Sequence, residues 1–147
     1  MKAIYTDILD RISQAVTTIK WVDYDRGQLD NQNQRPALAF PCALIGIKFP
    51  DCRDLTDRMQ SCKATITVRL AFDTMNTNTN ASVTYQKRDV ALEPLDVIAY
   101  VYKNLQAYET GNFNSLSRKS QGDEKRSDGL FVYQIVFSCE IIDQTAE

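Results

Sequence analysis

Between Ser61 and Asp73 the chain alternates strictly: Cys62, Ala64, Ile66, Val68, Leu70 and Phe72 are separated by Lys63, Thr65, Thr67, Arg69 and Ala71. Successive side chains of a strand point to opposite faces, so this segment carries one apolar face and one mostly polar face. It therefore needs neighbouring strands and an apolar layer over one side. The other side, with Arg69 near its middle, is expected to be wet or to meet a partner. Leu130 to Ile142 repeats the pattern, with Phe131, Tyr133, Ile135, Phe137, Cys139 and Ile141 in alternate positions.

The covering layer is also legible. Ile4, Ile8, Ile12, Ala15, Val16 and Ile19 recur at spacings of three and four, which predicts an amphipathic helix over 3–19 whose stripe packs on the core. A second helix is expected to open near Pro94, with Leu95, Ile98, Val101, Tyr102 and Leu105 on its stripe and Gly111 and Asn112 as the stop beyond it. Glu93 and Asp96 suit the positive end of its dipole. Lys20 to Asp25 reads as a short strand, and Ala37 to Phe49 as another, with Pro41 forcing an edge, a bulge or a strand that begins just after it. Phe113 to Ser120 reads as the strand that pairs with 130–142.

Three segments between these elements read as exposed loops: 26–36 and 74–86, rich in turn formers and polar residues, and the charged turn 118–129. In the last, Arg118, Lys119, Lys125 and Arg126 stand against Asp123, Glu124 and Asp128. Charges of both signs suit either a solvated hairpin tip or an arm whose register on a partner is set by charge. The expected architecture is one α+β domain over 1–147, with a mainly antiparallel sheet of about five strands, two helices on one face and the order α-β-β-β-α-β-β.

Composition narrows the function. The 147 residues include no histidine, which removes His-based general acid–base catalysis, Ser-His-Asp and Cys-His systems and HExxH zinc sites. Asp51, Asp54 and Asp57, and Asp123, Glu124 and Asp128, are the remaining carboxylate clusters that could serve a metal-dependent or small-ligand enzyme. Their interleaving with Arg53, Arg58, Lys125 and Arg126 reads better as surface charge pairing. The five glycines form neither GxGxxG nor a P-loop. A net charge of −2 does not suit a dedicated nucleic-acid binder. Cys42, Cys52, Cys62 and Cys139 form no CxxC and are expected to be free thiols acting as small hydrophobes. Asp7 and Asp10 interrupt the start before any signal-like apolar run, and no stretch approaches the ~18 apolar residues of a membrane helix. The expectation is a protein retained in a cytoplasm, with no cofactor and no catalytic residues.

The N-terminal helix, the Phe40-Pro41-Cys42-Ala43-Leu44-Ile45 strand, the long strand ending Val68-Arg69-Leu70-Ala71-Phe72-Asp73, a helix, and a closing hairpin from Phe113-Asn114-Ser115-Leu116-Ser117-Arg118 to Phe131-Val132-Tyr133-Gln134-Ile135-Val136-Phe137 together resemble the tail-terminator and tail-completion proteins of long-tailed phages, the minor tail protein U-like group. The resemblance rests on element order, size and loop placement and spans nearly the whole chain. It implies a non-enzymatic virion assembly protein that forms a homo-oligomeric ring, commonly a hexamer. Such a ring caps the tail tube, faces a head connector, touches DNA only in passage, and passes from the host cytoplasm into the virion tail; the resemblance also implies a prophage origin. Another head–tail connector or neck protein is the alternative. On this reading the expected interface residues are Arg69, Arg118, Lys119, Lys125 and Arg126.

Overall fold

Eight elements follow one another in a computed structural model that describes residues 1–74 and 77–147. They are α1 (Lys2–Ala15), β1 (Trp21–Tyr24), β2 (Cys42–Thr56), β3 (Met59–Asp73), α2 (Tyr85–Ala91), α3 (Glu93–Leu105), β4 (Ser117–Asp123) and β5 (Leu130–Asp143). The fold is α+β, and the five strands form one sheet in the order β1-β2-β3-β5-β4. All pairings are antiparallel except that of β1 with β2, which is parallel and sets Trp21 opposite Cys42.

The alternation in β3 works as its sequence demands. Cys62, Ala64, Ile66, Val68, Leu70 and Phe72 lie in the main core with Ile135, Phe137, Cys139 and Ile141 from β5, beneath Ile4, Ile8 and Ile12 of α1 and Ile98, Val101 and Leu105 of α3. The first helix is shorter than its apolar stripe suggests. It ends at Ala15, and Val16 and Ile19 reach the core from the connection that follows. Off-stripe residues hold α1 to the end of α3 and the segment after it: Asp7 accepts hydrogen bonds from Thr110 Oγ1 at 2.8 Å and Asn112 Nδ2 at 2.7 Å, and Arg11 donates to the Asn104 carbonyl at 3.0 Å.

Each expected loop needs correction. The segment 26–36 is not simply exposed. Because β1 and β2 are parallel, the chain between them must cross a face of the sheet, and α1 and α3 already occupy the other. It does so without a helix, burying Leu29 completely in a second, smaller core with Cys42, Leu44, Ala71, Leu130 and Val132. Leu38 and Phe40 pack against this core. Part of the face expected to be wet is therefore covered. The 74–86 segment loses its last two residues to α2, a third helix absent from the sequence-based count, which the Thr84 hydroxyl caps by accepting from the Lys87 N–H. Met75 and Asn76 of that segment lie outside the described residues. Half of the 118–129 segment is strand, since β4 runs to Asp123, three residues beyond the expected end, and the true turn is confined to 124–129.

The expected end of the second strand, Phe49, also proves too early. β2 continues through the Asp51 cluster to Thr56, so 42–56 and 59–73 form one long hairpin. The strand begins immediately after Pro41, as the missing N–H requires. A bulge falls between Lys48 and Asp51, where Pro50 is tolerated.

Two of the four cysteines are not free. Cys52 and Cys62 are a registered cross-strand pair with a Cα–Cα distance of 4.1 Å and are joined by a disulfide. The extension of β2 past Phe49 makes this pairing. Cys42 and Cys139 are the buried free thiols. Burial raises both to about 11, so they stay protonated and unreactive at neutral pH.

Candidate interaction sites on the sheet and its hairpin

Arg69 stands on the second face of β3, where the crossover 26–36 and the turn 124–129 meet. Its guanidinium donates to Glu124 through both Nε (2.7 Å) and Nη2 (2.9 Å), a bidentate arrangement, and through Nη1 to Asp30 (2.9 Å) and Asp25 (3.3 Å). Burial opposes its charge, but the hydrogen bonds and attraction of Glu124, with help from Asp30 and Asp25, outweigh that and raise its pKa. Glu124 also lies 3.7 Å from Arg126, which donates to Asp128 at 2.6 Å. The result is a chain of charges, Asp25 and Asp30 to Arg69 to Glu124 to Arg126 to Asp128. It ties together three segments far apart in sequence.

The five basic residues named from sequence thus separate into two groups. Arg69 and Arg126 have side chains only 12% and 2% exposed, and their donors are used within the fold. Neither offers its charge to a partner in this conformation. Arg118 lies over the ring of Tyr102 on α3, 3.8 Å from the centroid, and donates to Gln121 at 2.7 Å. Lys125, with an 84% exposed side chain 3.2 Å from Asp123, marks the tip of the turn. Lys119 is the extra residue of a bulge in β4, between the pairs Arg118↔Phe137 and Ser120↔Val136. A bulged lysine on an edge strand discourages sheet-to-sheet pairing there. Lys119 and Lys125 are therefore the lysines of this set that face outward, Lys125 while paired with Asp123.

The carboxylate clusters separate in the same way. Asp123 and Asp128 belong to the turn, with Lys125 and Arg126 as partners, whereas Asp51 and Asp54 lie on the far end of the β2–β3 hairpin, paired with Arg53 (4.0 Å) and Gln60 (2.8 Å). Among the described residues, no group of three or more Asp, Glu or Cys side chains is placed to hold a metal ion. The charge pairing expected from the sequence is present at the turn and, at 4.0 Å, between Asp51 and Arg53, whereas the partner of Asp54 is the neutral Gln60.

Hydrogen bonding from Arg126 holds the Asp128 carboxyl below its ordinary range, and the Lys125 N–H does the same for Asp123. A carboxyl with a depressed folded-state pKa contributes stability that is fully present above its unfolded pKa and is lost as pH falls through the folded value. Stability is therefore expected to drop as pH falls below about 4. Asp128→Asn, which preserves shape but cannot carry the charge, should flatten that part of the profile. Denaturant titrations at a series of acidic pH values check this, and identical slopes for both proteins would contradict it.

Two surface features had no clear sequence signal. One is the β2–β3 hairpin beyond the disulfide, where residues 52–58 are all exposed. Leu55 is the extra residue of a bulge between the pairs Asp54↔Gln60 and Thr56↔Met59 and is 53% exposed. The other is a cleft of about 590 Å³ at the opposite end of the sheet, where Phe40, Pro41 and Phe72 meet Val90, Val97 and Tyr100.

No family model matches the chain, and no curated protein matches it. Among solved structures, a chain of one described as "Virion of native gene transfer agent (GTA) particle" is similar over 92% of this chain and 84% of that one, with 8% identity and a TM-score of 0.48. No helix among the described residues is long and apolar enough to cross a membrane.

Proposed function

We propose that this protein is a structural component of a phage-like virion, and more specifically a tail terminator: a homo-oligomeric ring that caps the tail tube and offers a surface to the head connector. The observation that carries the reading is the long β2–β3 hairpin, which leaves the core and continues as a paired, disulfide-linked arm with exposed residues throughout 52–58. A ladder maintained where little is buried serves contact with another molecule better than it serves the fold. The sequence resemblance supplies the assembly in which such an arm would work, with tail-tube and connector proteins as partners and DNA in transit. A neck protein elsewhere in the head–tail junction is the second reading, because the same arm would serve it.

The outward charges provide a test. Replacing Lys119 and Lys125 with Glu is expected to change stability by no more than about 0.5 kcal/mol, as befits exposed positions. The same pair should slow capping of purified tails and their joining to heads. Arg118 and Arg126 are left in place because Tyr102 and Asp128 use them within the fold. Complementation of terminator-deficient tails by the wild-type protein is the decisive measurement, and failure to cap or join them would overturn the terminator assignment.

A further inference from the structure

We propose that the Cys52–Cys62 bond is a reversible redox latch, entered at Cys52 by a small thiol from solvent, whose state decides whether the outer part of β2 is held on β3. The inference rests on the hairpin and its bond, and it stands whether or not the chain caps tails.

The two sulfurs sit in unlike surroundings. Cys62 is 1% exposed and belongs to the main core with Ala64, Ile66 and Ile141. Cys52, its registered partner across the ladder, is exposed. The bond therefore runs from the edge of the core to the surface, and Cys52 is its end open to a nucleophile. Exposed disulfides are the labile ones, because exchange requires a thiolate to reach the sulfur it attacks. Cys42 and Cys139 are buried, protonated at neutral pH and outside this exchange.

The bond also stands where the ladder has little else to hold it. Ile47 is the last buried residue of β2, a bulge interrupts the pairing between Lys48 and Asp51, and 51–58 is exposed throughout. Past that bulge the pairs run from Asp51↔Lys63 to Asp54↔Gln60, and a second bulge follows before Thr56↔Met59. Gln60 donates to Asp54 at 2.8 Å across these pairs, but no β2 side chain there is buried. Strand pairing without an apolar face is marginal in water. β3 differs, since its other edge stays paired with β5 out to Gln60↔Asp143. Opening the bond should thus release 51–58 and leave β3 in the sheet. Bond and ladder favour each other by the same factor, because each holds in place the groups the other needs.

With glutathione as co-reactant the exchange balances. Its thiolate attacks Cys52 Sγ, the S–S bond breaks, and Cys62 Sγ leaves with the electron pair and is protonated, which burial favours. A second glutathione thiolate attacks the glutathione sulfur of the mixed disulfide, releasing Cys52 and oxidised glutathione. Two electrons pass to the pair, and the two protons lost by glutathione end on Cys52 and Cys62. Oxidised glutathione drives the same steps in reverse, with Cys62 as the resolving sulfur.

Equilibration of the folded protein across a series of reduced-to-oxidised glutathione ratios, followed by acid quench and mass spectrometry, tests the latch. The pair should pass wholly from disulfide to dithiol within the series and reach the same ratio from either starting state, while Cys42 and Cys139 carry no glutathione. A pair that stays oxidised or stays reduced throughout would overturn the proposal. Amide exchange through 52–58 should be at least about tenfold faster in the dithiol form, with 64–72 and 131–139 unchanged. Equal protection of 52–58 in both forms, or loss of protection across the whole sheet, would show that the bond is no local latch. Cys62→Ala should collect a stable glutathione adduct on Cys52, whereas Cys52→Ser should collect none on Cys62; the reverse pattern would overturn entry at Cys52. The equilibration and amide-exchange measurements use the wild type, so they decide the latch even where Cys62→Ala does not fold.

Discussion

Arg69→Met should destabilise the fold by about 3–5 kcal/mol, because it removes the cation that Glu124, Asp25 and Asp30 share, taking from Asp25 its cation and leaving Glu124 with the longer contact to Arg126 alone. The side chain is 12% exposed, so solvent offers little screening on its side of the pairs, although Asp30, at 66%, contributes less than the other two. The effect should be strongly non-additive. Once Arg69 is Met, also changing Glu124 to Gln and Asp25 to Asn should recover a good part of the loss, since the penalty lies in isolated charge rather than in the absence of an ion pair. Urea denaturation of the single and triple variants provides the comparison. A loss under about 1 kcal/mol for the single variant would show that the cluster behaves as an ordinary surface network.

The second large effect belongs to Leu29. Its side chain is fully buried against Leu44, Ala71 and Val132, so Leu29→Ala should cost about 2–5 kcal/mol through lost apolar contact and a residual cavity. The loss should be local in its dynamic signature. Amide exchange should accelerate through 26–36 and at the turn 124–129, which Gln32 joins through Ser127, before it changes in the main core. An unaltered exchange pattern with a cost under about 0.5 kcal/mol would place Leu29 outside the cooperative fold. A sequence-based view of 26–36 as a solvated connection expects that small value, so the experiment separates the two descriptions directly.

Leu29 and Arg69 also show where sequence reasoning stopped. Alternation in 61–73 correctly assigned Arg69 to the face opposite the helices, but period-two patterning says nothing about what lies over that face. One leucine among turn-forming residues carries no periodic signal. Its burial follows from the parallel pairing of β1 with β2, a non-local choice that no local propensity encodes. Arg126 was visible as a charge in a mixed-sign segment, yet its 2% exposure depends on Asp128 and Glu124 closing around it. Lys119 and Lys125, by contrast, remain outward as their sequence context suggested.

The length of the hairpin is hidden from local pattern for a related reason. Asp51 to Asp57 has the composition of a turn, and strand propensity there is low. Pairing with Ser61 to Lys63, already committed to the central strand, carries the ladder outward and brings Cys52 opposite Cys62. Cross-strand neighbours, more than the residues themselves, made this segment a strand.

By itself, the sequence determined the layers: an amphipathic α1 and α3, two long alternating strands, an α+β sheet with one covered face, and a chain without histidine chemistry. Those properties are periodic or compositional, and a period of 3.6 or of two fixes a buried face wherever the element finally packs. Only the tertiary structure decided that β1 runs parallel to β2, that the crossover buries Leu29 and encloses Arg69, and that an apolar cleft and a stiff hairpin tip stand at opposite ends of one sheet. Each of these arises from strand order and register, which bring residues more than 40 positions apart into contact, as Arg69 and Glu124 are, 55 apart. Local pattern can supply the surfaces to be paired, but the choice of partner is a property of the whole chain's packing.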